Sequence, residues 1–222
     1  AMADSQSTVE QDGNNLSATV EQGGATDGNA FIDQGNDDGD GASNASAYID
    51  QDGTREDADI VQTGYGGDAG IDQNVTNGDA DITQRGNSSA DVEQFGYGDN
   101  ADATVRQGTD GDEGEGTKDE SRAYVEQSAS NTVAVVDQDN GDAGGFARVD
   151  QNAGANGAVA NVDQQGLGGN DAQVTQSTTS ADADVDQVGT DNYADVNQTV
   201  AGFDNTATVE QTGTANSATV TQ

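Results

Sequence analysis

Small apolar and polar residues alternate in short segments that recur along the whole chain. Eighteen segments share the pattern Ala/Ser-x-Val/Ile-x-Gln, in which Val or Ile stands two residues before the repeat Gln without exception. Ala stands four residues before the Gln in seventeen segments, and Ser7 takes its place in the first. Because side chains alternate between the two faces of a strand, Ala, Val/Ile and Gln share one face. Each segment is therefore predicted to be a short β-strand with one small, largely apolar face.

Successive repeat glutamines are mostly 10 to 13 residues apart, which leaves space for a strand and a tight turn but not for a helix. The intervening segments, such as "RGNSS" (85–89), are rich in Gly, Asn and Asp or Ser, which favour turns. A lone strand that buries one Ala and one Val is unstable, so the repeats must stack. The predicted fold class is all-β: a β-solenoid of about nine two-strand coils built from eighteen half-repeats.

Two longer spacings between successive repeat glutamines test how the strands pair into coils. Pairing them two by two from the first strand places both gaps, 34–51 and 107–127, inside a coil. Both insertions are then expected on the same edge of the solenoid. We expect residues 1–4 to be disordered, with 1–3 a remnant of expression, and residues 5–222 to form a single solenoid domain.

The invariant glutamine has a predicted structural role. Identical residues of stacked parallel strands lie about 4.8 Å apart, a spacing at which side-chain amides bond one another in a ladder. A polar strand end that merely faced water would be expected to vary between Ser, Thr, Asn and Lys. The predicted ladder comprises Gln11, Gln22, Gln34, Gln51, Gln62, Gln73, Gln84, Gln94, Gln107, Gln127, Gln138, Gln151, Gln164, Gln176, Gln187, Gln198, Gln211 and Gln222.

Composition changes this picture in two respects. Leu, Ile, Val and Phe contribute only 31 of 222 residues, which by itself favours disorder, but the regular repeat overrides that interpretation. The net charge is −36, with 42 acidic and six basic residues, so nucleic acid and anionic membranes are disfavoured as partners. No Cys or His is present and no apolar run reaches ten residues. These features argue against an enzyme, a zinc site and membrane insertion.

The acidic residues need screening, because like charges at the stacking distance repel by roughly 0.9 kcal/mol per pair even in water. Salt or divalent cations would screen them; acidity kept for solubility is the alternative. Both insertions are rich in carboxylates and glycine, a composition that suits weak Ca²⁺ binding or a solvated acidic loop. The candidate ligands are Asp37, Asp38, Asp40, Asp110, Asp112, Glu113 and Glu115. No other cofactor is expected.

The repeats "SATVEQGGATDGNAFIDQ" (17–34) and "TATVEQTGTANSATVTQ" (206–222) closely resemble the curlin repeat. Curlins are subunits of curli, the functional-amyloid fibres that bacteria secrete. The resemblance implies a subunit that is exported through an outer-membrane secretion machinery, meets a nucleator subunit and polymerises at the cell surface. It implies an extracellular location and roles in biofilm matrix and surface adhesion. This chain has more half-repeats and more acid than a familiar major curlin.

The end strands also favour polymerisation on physical grounds. The first and last strands are ordinary repeat units without Pro or a recognisable cap, and compatible open edges add further strands head to tail. The predicted polymerisation edges are Ser7, Val9, Gln11, Ala218, Val220 and Gln222. The alternative is a monomeric acidic β-solenoid that binds a ligand, such as a Ca²⁺-binding adhesin segment or, less favoured, an ice-binding protein.

Overall fold

The computed structural model describes residues 5–35, 42–96, 99–108, 121–140, 144–200 and 204–222, excepting the side chain of Asn140. Within these residues the chain forms twenty strands and no helix. Eighteen of the strands form two parallel sheets of nine, and two short strands form a third sheet. The predicted all-β solenoid is therefore confirmed.

The strands alternate between the two large sheets as the chain advances. The first sheet contains β1 (Gln6–Gln11), β4 (Asn29–Gln34), β7 (Asp57–Thr63), β9 (Asp79–Arg85), β11 (Asp102–Gln107), β13 (Val133–Asn140), β15 (Val159–Gly168), β17 (Asp182–Thr190) and β19 (Thr206–Thr214), in this order. The second contains β3 (Ser17–Glu21), β6 (Ser46–Gln51), β8 (Asp68–Gln73), β10 (Ser89–Gln94), β12 (Arg122–Gln127), β14 (Phe146–Gln151), β16 (Asp171–Gln176), β18 (Tyr193–Gln198) and β20 (Ser217–Thr221). The third pairs β2 (Gly13–Asn14) with β5 (Ala42–Ser43).

Neighbouring strands are paired so that each motif position stacks on the same position of the next coil. Val92, for example, lies between Ile71 and Val125 in the second sheet. One strand from each sheet makes a coil, which gives nine coils joined at eight coil-to-coil contacts. The predicted pairing holds, since both long insertions follow a strand of the first sheet and precede one of the second. Residues 36–41 and 109–120 of these insertions lie outside the described part.

The core is a thin apolar layer between the two sheets. Interior strands alternate buried and more exposed residues, as in β10, where Ala90 and Val92 are buried and their neighbours face solvent. The inward Ala and Val/Ile of successive coils form one continuous hydrophobic cluster. Burial falls off at the ends of the solenoid: every residue of β1 is exposed, and Ala218 and Val220 of β20 are only half-buried.

The turns stack as regularly as the strands. Asn77, Asn100 and Asn131 share a left-handed backbone conformation, with φ of 57° to 59°. The side chain of Asn77 donates to Asn100 at 3.0 Å and that of Asn100 donates to Asn131 at 2.9 Å. Asn tolerates this conformation, which explains its abundance between strands. Arg55 and Ala215 adopt the same conformation, with φ of 55°, although neither residue type favours it.

Candidate functional site

The repeat glutamines form two continuous ladders, one along each large sheet. In every coil-to-coil contact the Nε2 of one glutamine donates to the Oε1 of the glutamine in the following coil. These distances are 2.7–2.9 Å in the first sheet. They are 2.7–3.1 Å in the second sheet. Both ladders have one direction, with donors pointing toward the last coil.

Most of these amides also donate to a backbone carbonyl of the opposite sheet. Gln73 donates to the carbonyl oxygen of Asp57 at 3.0 Å, and Gln94 donates to that of Asp79 at 2.9 Å. Each such glutamine therefore connects adjacent coils and also the two sheets. Sequence reasoning missed this second bond, because it depends on how the two sheets are offset from each other.

Burial strengthens the structural role of these amides. The interior glutamines are almost completely buried, and an unpaired polar group at such a position destabilises the fold. At the first coil, by contrast, Gln11 is exposed and Gln22 is half-buried. The amides of the ladders are thus shielded from water inside the solenoid and reach solvent at its ends.

The predicted polymerisation residues lie on strands at opposite ends of the solenoid. Ser7, Val9 and Gln11 belong to β1, whose one neighbour in the first sheet is β4. Val9 is 46% exposed, although its counterparts in the interior coils are buried. Ala218 and Val220 lie on β20, the last strand of the second sheet, and Gln222 follows it. Both ends therefore present the repeat motif at a sheet edge.

The outward face of the second sheet carries a column of stacked acids. The strand register places in one row Glu21, Asp50, Asp72, Glu93, Glu126 and Asp150. Tyrosine hydroxyls donate into this row: Tyr48 to Asp50 at 3.0 Å and Tyr124 to Glu93 at 3.0 Å. Part of the repulsion between these carboxylates is therefore offset by neighbouring donors.

A second acidic column crosses the first sheet. Asp79 is paired with Asp57 on one side and with Asp102 on the other. Partial burial, followed by the nearby charges of Asp81, Asp102, Asp57 and Asp59, raises the pKa of Asp79 to about 6. The fold therefore favours a proton on this carboxylate at a higher pH than is usual for Asp, and the protonated form predominates below about pH 6.

Glu56 is a buried carboxylate that sequence reasoning did not single out. It lies in the turn before β7 and is 1% exposed. Its two carboxylate oxygens accept backbone N–H groups of two successive turns, from Gly53 and from Val75, both at 2.9 Å. Burial raises the pKa of Glu56, and these two hydrogen bonds oppose the increase. Glu56 thereby connects one turn to the next, and only the folded structure brings Val75 within its reach.

The predicted Ca²⁺ ligands fall outside the described residues. The loops that contain them, 36–41 and 109–120, are the segments named above. Among the residues that are described, no group of three or more His, Cys, Asp or Glu side chains could hold a metal ion. Weak Ca²⁺ binding by the two loops thus stays a prediction. Over the same described residues, no helix has the length and apolarity needed to cross a membrane.

These features define a repeat protein of the β-solenoid class, whose coils are held together by buried amide ladders. The family model described as the curlin associated repeat matches residues 178–213 and 202–222. This match confirms the resemblance to the curlin family for the last coils. The earlier coils carry the same motif at the same register of the same two sheets. Comparison with curated proteins and with solved structures found no match.

Proposed function

We propose that this protein is a structural subunit that stacks head to tail into extracellular, curli-type fibres. The observation that carries this proposal is the presence of the repeat motif on the exposed edge strands β1 and β20. A parallel sheet edge presents unpaired N–H and C=O groups, which a further strand of the same register can satisfy. A second copy of the chain supplies such a strand.

The direction of the amide ladders supports a polar, head-to-tail arrangement. Nε2 of Gln222 donates to the carbonyl oxygen of Thr206 at 3.0 Å and retains one N–H. Within the described residues, Oε1 of Gln11 and of Gln22 accepts no hydrogen bond. A following subunit therefore offers acceptors where the preceding one offers donors. In this arrangement β1 adds to β19 and β3 adds to β20.

Incubation of the purified protein tests this proposal. We expect unbranched fibres in electron micrographs, and a meridional reflection near about 4.8 Å in fibre diffraction. Nine coils per subunit correspond to a rise of about 43 Å. A protein that stays monomeric after prolonged incubation and gives no such reflection would contradict the proposal.

The setting of these fibres is proposed from the curlin repeat. We infer export of the subunit to the cell surface, with a nucleator subunit and an outer-membrane secretion machinery as partners. The fibres would then contribute to biofilm matrix and to surface adhesion. A structural role of this kind requires no catalytic group.

A further inference from the structure

Arg148 occupies a defined position within the acidic column of the second sheet. Strand pairing places it beside Tyr124, and its guanidinium carbon lies 4.9 Å from the centre of the Tyr124 ring. Its Nε donates to both carboxylate oxygens of Asp150 at 2.9 Å. Its Nη2 lies 3.9 Å from Oε2 of Glu126. One arginine thus combines a cation–π contact with two carboxylate partners.

The same surroundings recur around Tyr48, but without the cation. Tyr48 is paired with Gly70 in the way that Tyr124 is paired with Arg148, and Asp50 is paired with Asp72. The Tyr48 hydroxyl donates to Asp50 at 3.0 Å, as the Tyr124 hydroxyl donates to the corresponding Glu126 at 3.3 Å. The ring and both carboxylates are therefore repeated, while glycine replaces the arginine.

The side chains around Gly70 carry more negative charge than those around Arg148. A carboxylate oxygen of Asp91 lies 3.2 Å from the point that a Cβ on Gly70 would occupy, whereas Gln173 is the corresponding neighbour of Arg148. Partial burial and the charges of Asp50, Glu93 and Asp52 raise the pKa of Asp72. Within the described part of the chain, Asp72 takes part in no ion pair.

We propose that Tyr48, Asp50, Asp72 and Asp91 form a binding site at Gly70 for the arginine side chain of a basic partner polypeptide. The guanidinium plane stacks on the exposed face of Tyr48 while its N–H groups donate to the carboxylates. Arginine suits this site better than a metal ion, because among the described residues no group of three or more acidic side chains could hold a metal. Arg148 shows that the same scaffold accommodates a guanidinium group.

The test is calorimetric titration of the full chain with a short neutral-ended peptide that carries a single arginine. Its control is the same peptide with citrulline, which has nearly the same shape and no charge. We expect saturable binding of about one arginine peptide per chain, with at least about tenfold weaker binding of the citrulline peptide. Freshly purified monomer and assembled fibres serve equally as the sample, so the result is independent of the proposed polymerisation.

Four variants make the assignment specific to this position. Gly70→Arg fills the site from within the chain and should weaken peptide binding at least about tenfold. Gln173→Arg adds the same charge to the same face and should leave binding unchanged. Tyr48→Thr removes the ring without changing the charge and should also weaken binding. Arg148→Gly should create a second, weaker site, because Gln173 stands there in place of Asp91, and should raise the stoichiometry above one.

Diffuse attraction to a polyanion is the competing explanation, and it predicts a different pattern. Equal binding by the wild type and by Gly70→Arg would overturn the proposal. So would unsaturable binding that Tyr48→Thr leaves unchanged, because a general charge effect does not depend on one aromatic ring. Should Gly70→Arg fail to fold, the Tyr48→Thr and Arg148→Gly variants still decide the question.

Discussion

Glutamine at the end of each repeat combines a sufficient side-chain length with an amide that both donates and accepts. Interior amides such as that of Gln94 accept one hydrogen bond and donate two, to the next coil and to the opposite sheet. A glutamate would lack the donors and would place a charge in a closed layer. The chemistry of the amide therefore explains why this one residue type recurs at each repeat.

Replacing Gln94 by Leu should destabilise the fold strongly. Leu has a similar size but removes the acceptor of one N–H of Gln73 and the donors to Oε1 of Gln127 and to the carbonyl of Asp79. We expect the free energy of unfolding of the monomer, measured in urea, to fall by about 3 kcal/mol or more. The outward neighbour is the control: Glu93→Gln should change it by less than about 1 kcal/mol. Equal effects of the two changes would contradict the ladder's structural role.

Replacing Ala215 by Gly should stabilise the fold. Ala215 has a φ of 55°, a conformation that costs an L-residue about 1–2 kcal/mol and glycine almost nothing. We expect a gain of about 1 kcal/mol in the free energy of unfolding. The same change at Ala207, a buried strand residue, should instead destabilise the protein. A loss of stability at Ala215 would show that its backbone conformation is not strained.

At the scale of the strands, the stacking of identical positions both packs the apolar core and brings like charges together. The register that aligns Val on Val also aligns acid on acid, as in the column of Asp57, Asp79 and Asp102. Hydroxyl donors and Arg148 offset part of this repulsion on the second sheet. Protonation can offset it on the first sheet, where the pKa of Asp79 is raised to about 6 by partial burial and by its acidic neighbours.

The stability of the fold should therefore increase as the pH falls from 7 to 5. A carboxyl group whose pKa is higher in the folded state contributes stability at low pH, and this is lost as the pH rises through about 6. The Asp79→Asn variant should show a smaller pH dependence of the free energy of unfolding. The control is Asp184→Asn, which removes the same charge further along the sheet. This variant should retain more of the pH dependence of the free energy of unfolding than Asp79→Asn does. An unchanged pH profile in Asp79→Asn would refute the assignment.

At the scale of the whole molecule, the proposed fibre continues the stacking of coils beyond the length of one chain. Each internal contact between coils repeats the geometry that we propose for the contact between subunits. The first strand differs from the others mainly in exposure, since Val9 is 46% exposed while the inward Val or Ile of each interior coil is buried. The end coils are therefore where a single substitution should affect assembly more than folding.

Replacing Val9 by Asp should prevent fibre growth while preserving the monomer. In the stacked fibre the side chain of residue 9 enters the apolar layer, where an unpaired carboxylate is strongly disfavoured. We expect no fibres in electron micrographs and little change in the circular dichroism of the monomer. Thr8→Asp adds the same charge on the outward face of the same strand and should still polymerise. Normal growth of the Val9→Asp variant would contradict the proposed contact between subunits.

The repeat was sufficient to predict the eighteen strands of the two large sheets, their inward face and their pairing into coils, but not the short strands β2 and β5. A period of two is a local property, and its eighteenfold repetition allows essentially one register in which like residues stack. Loop lengths agree with the pairing, because both long insertions follow a strand of the first sheet and precede one of the second.

The tertiary structure decided the features that depend on contacts between different coils or between the two sheets. The bond from Gln94 to the carbonyl of Asp79 requires the offset between the sheets. The bonds from Glu56 to two successive turns require the conformation of both turns. The likeness between the surroundings of Gly70 and Arg148 appears only once their neighbours are in place. The periodicity of the sequence determines the strands and their stacking. The roles of residues outside the repeat motif depend on the residues that folding places beside them.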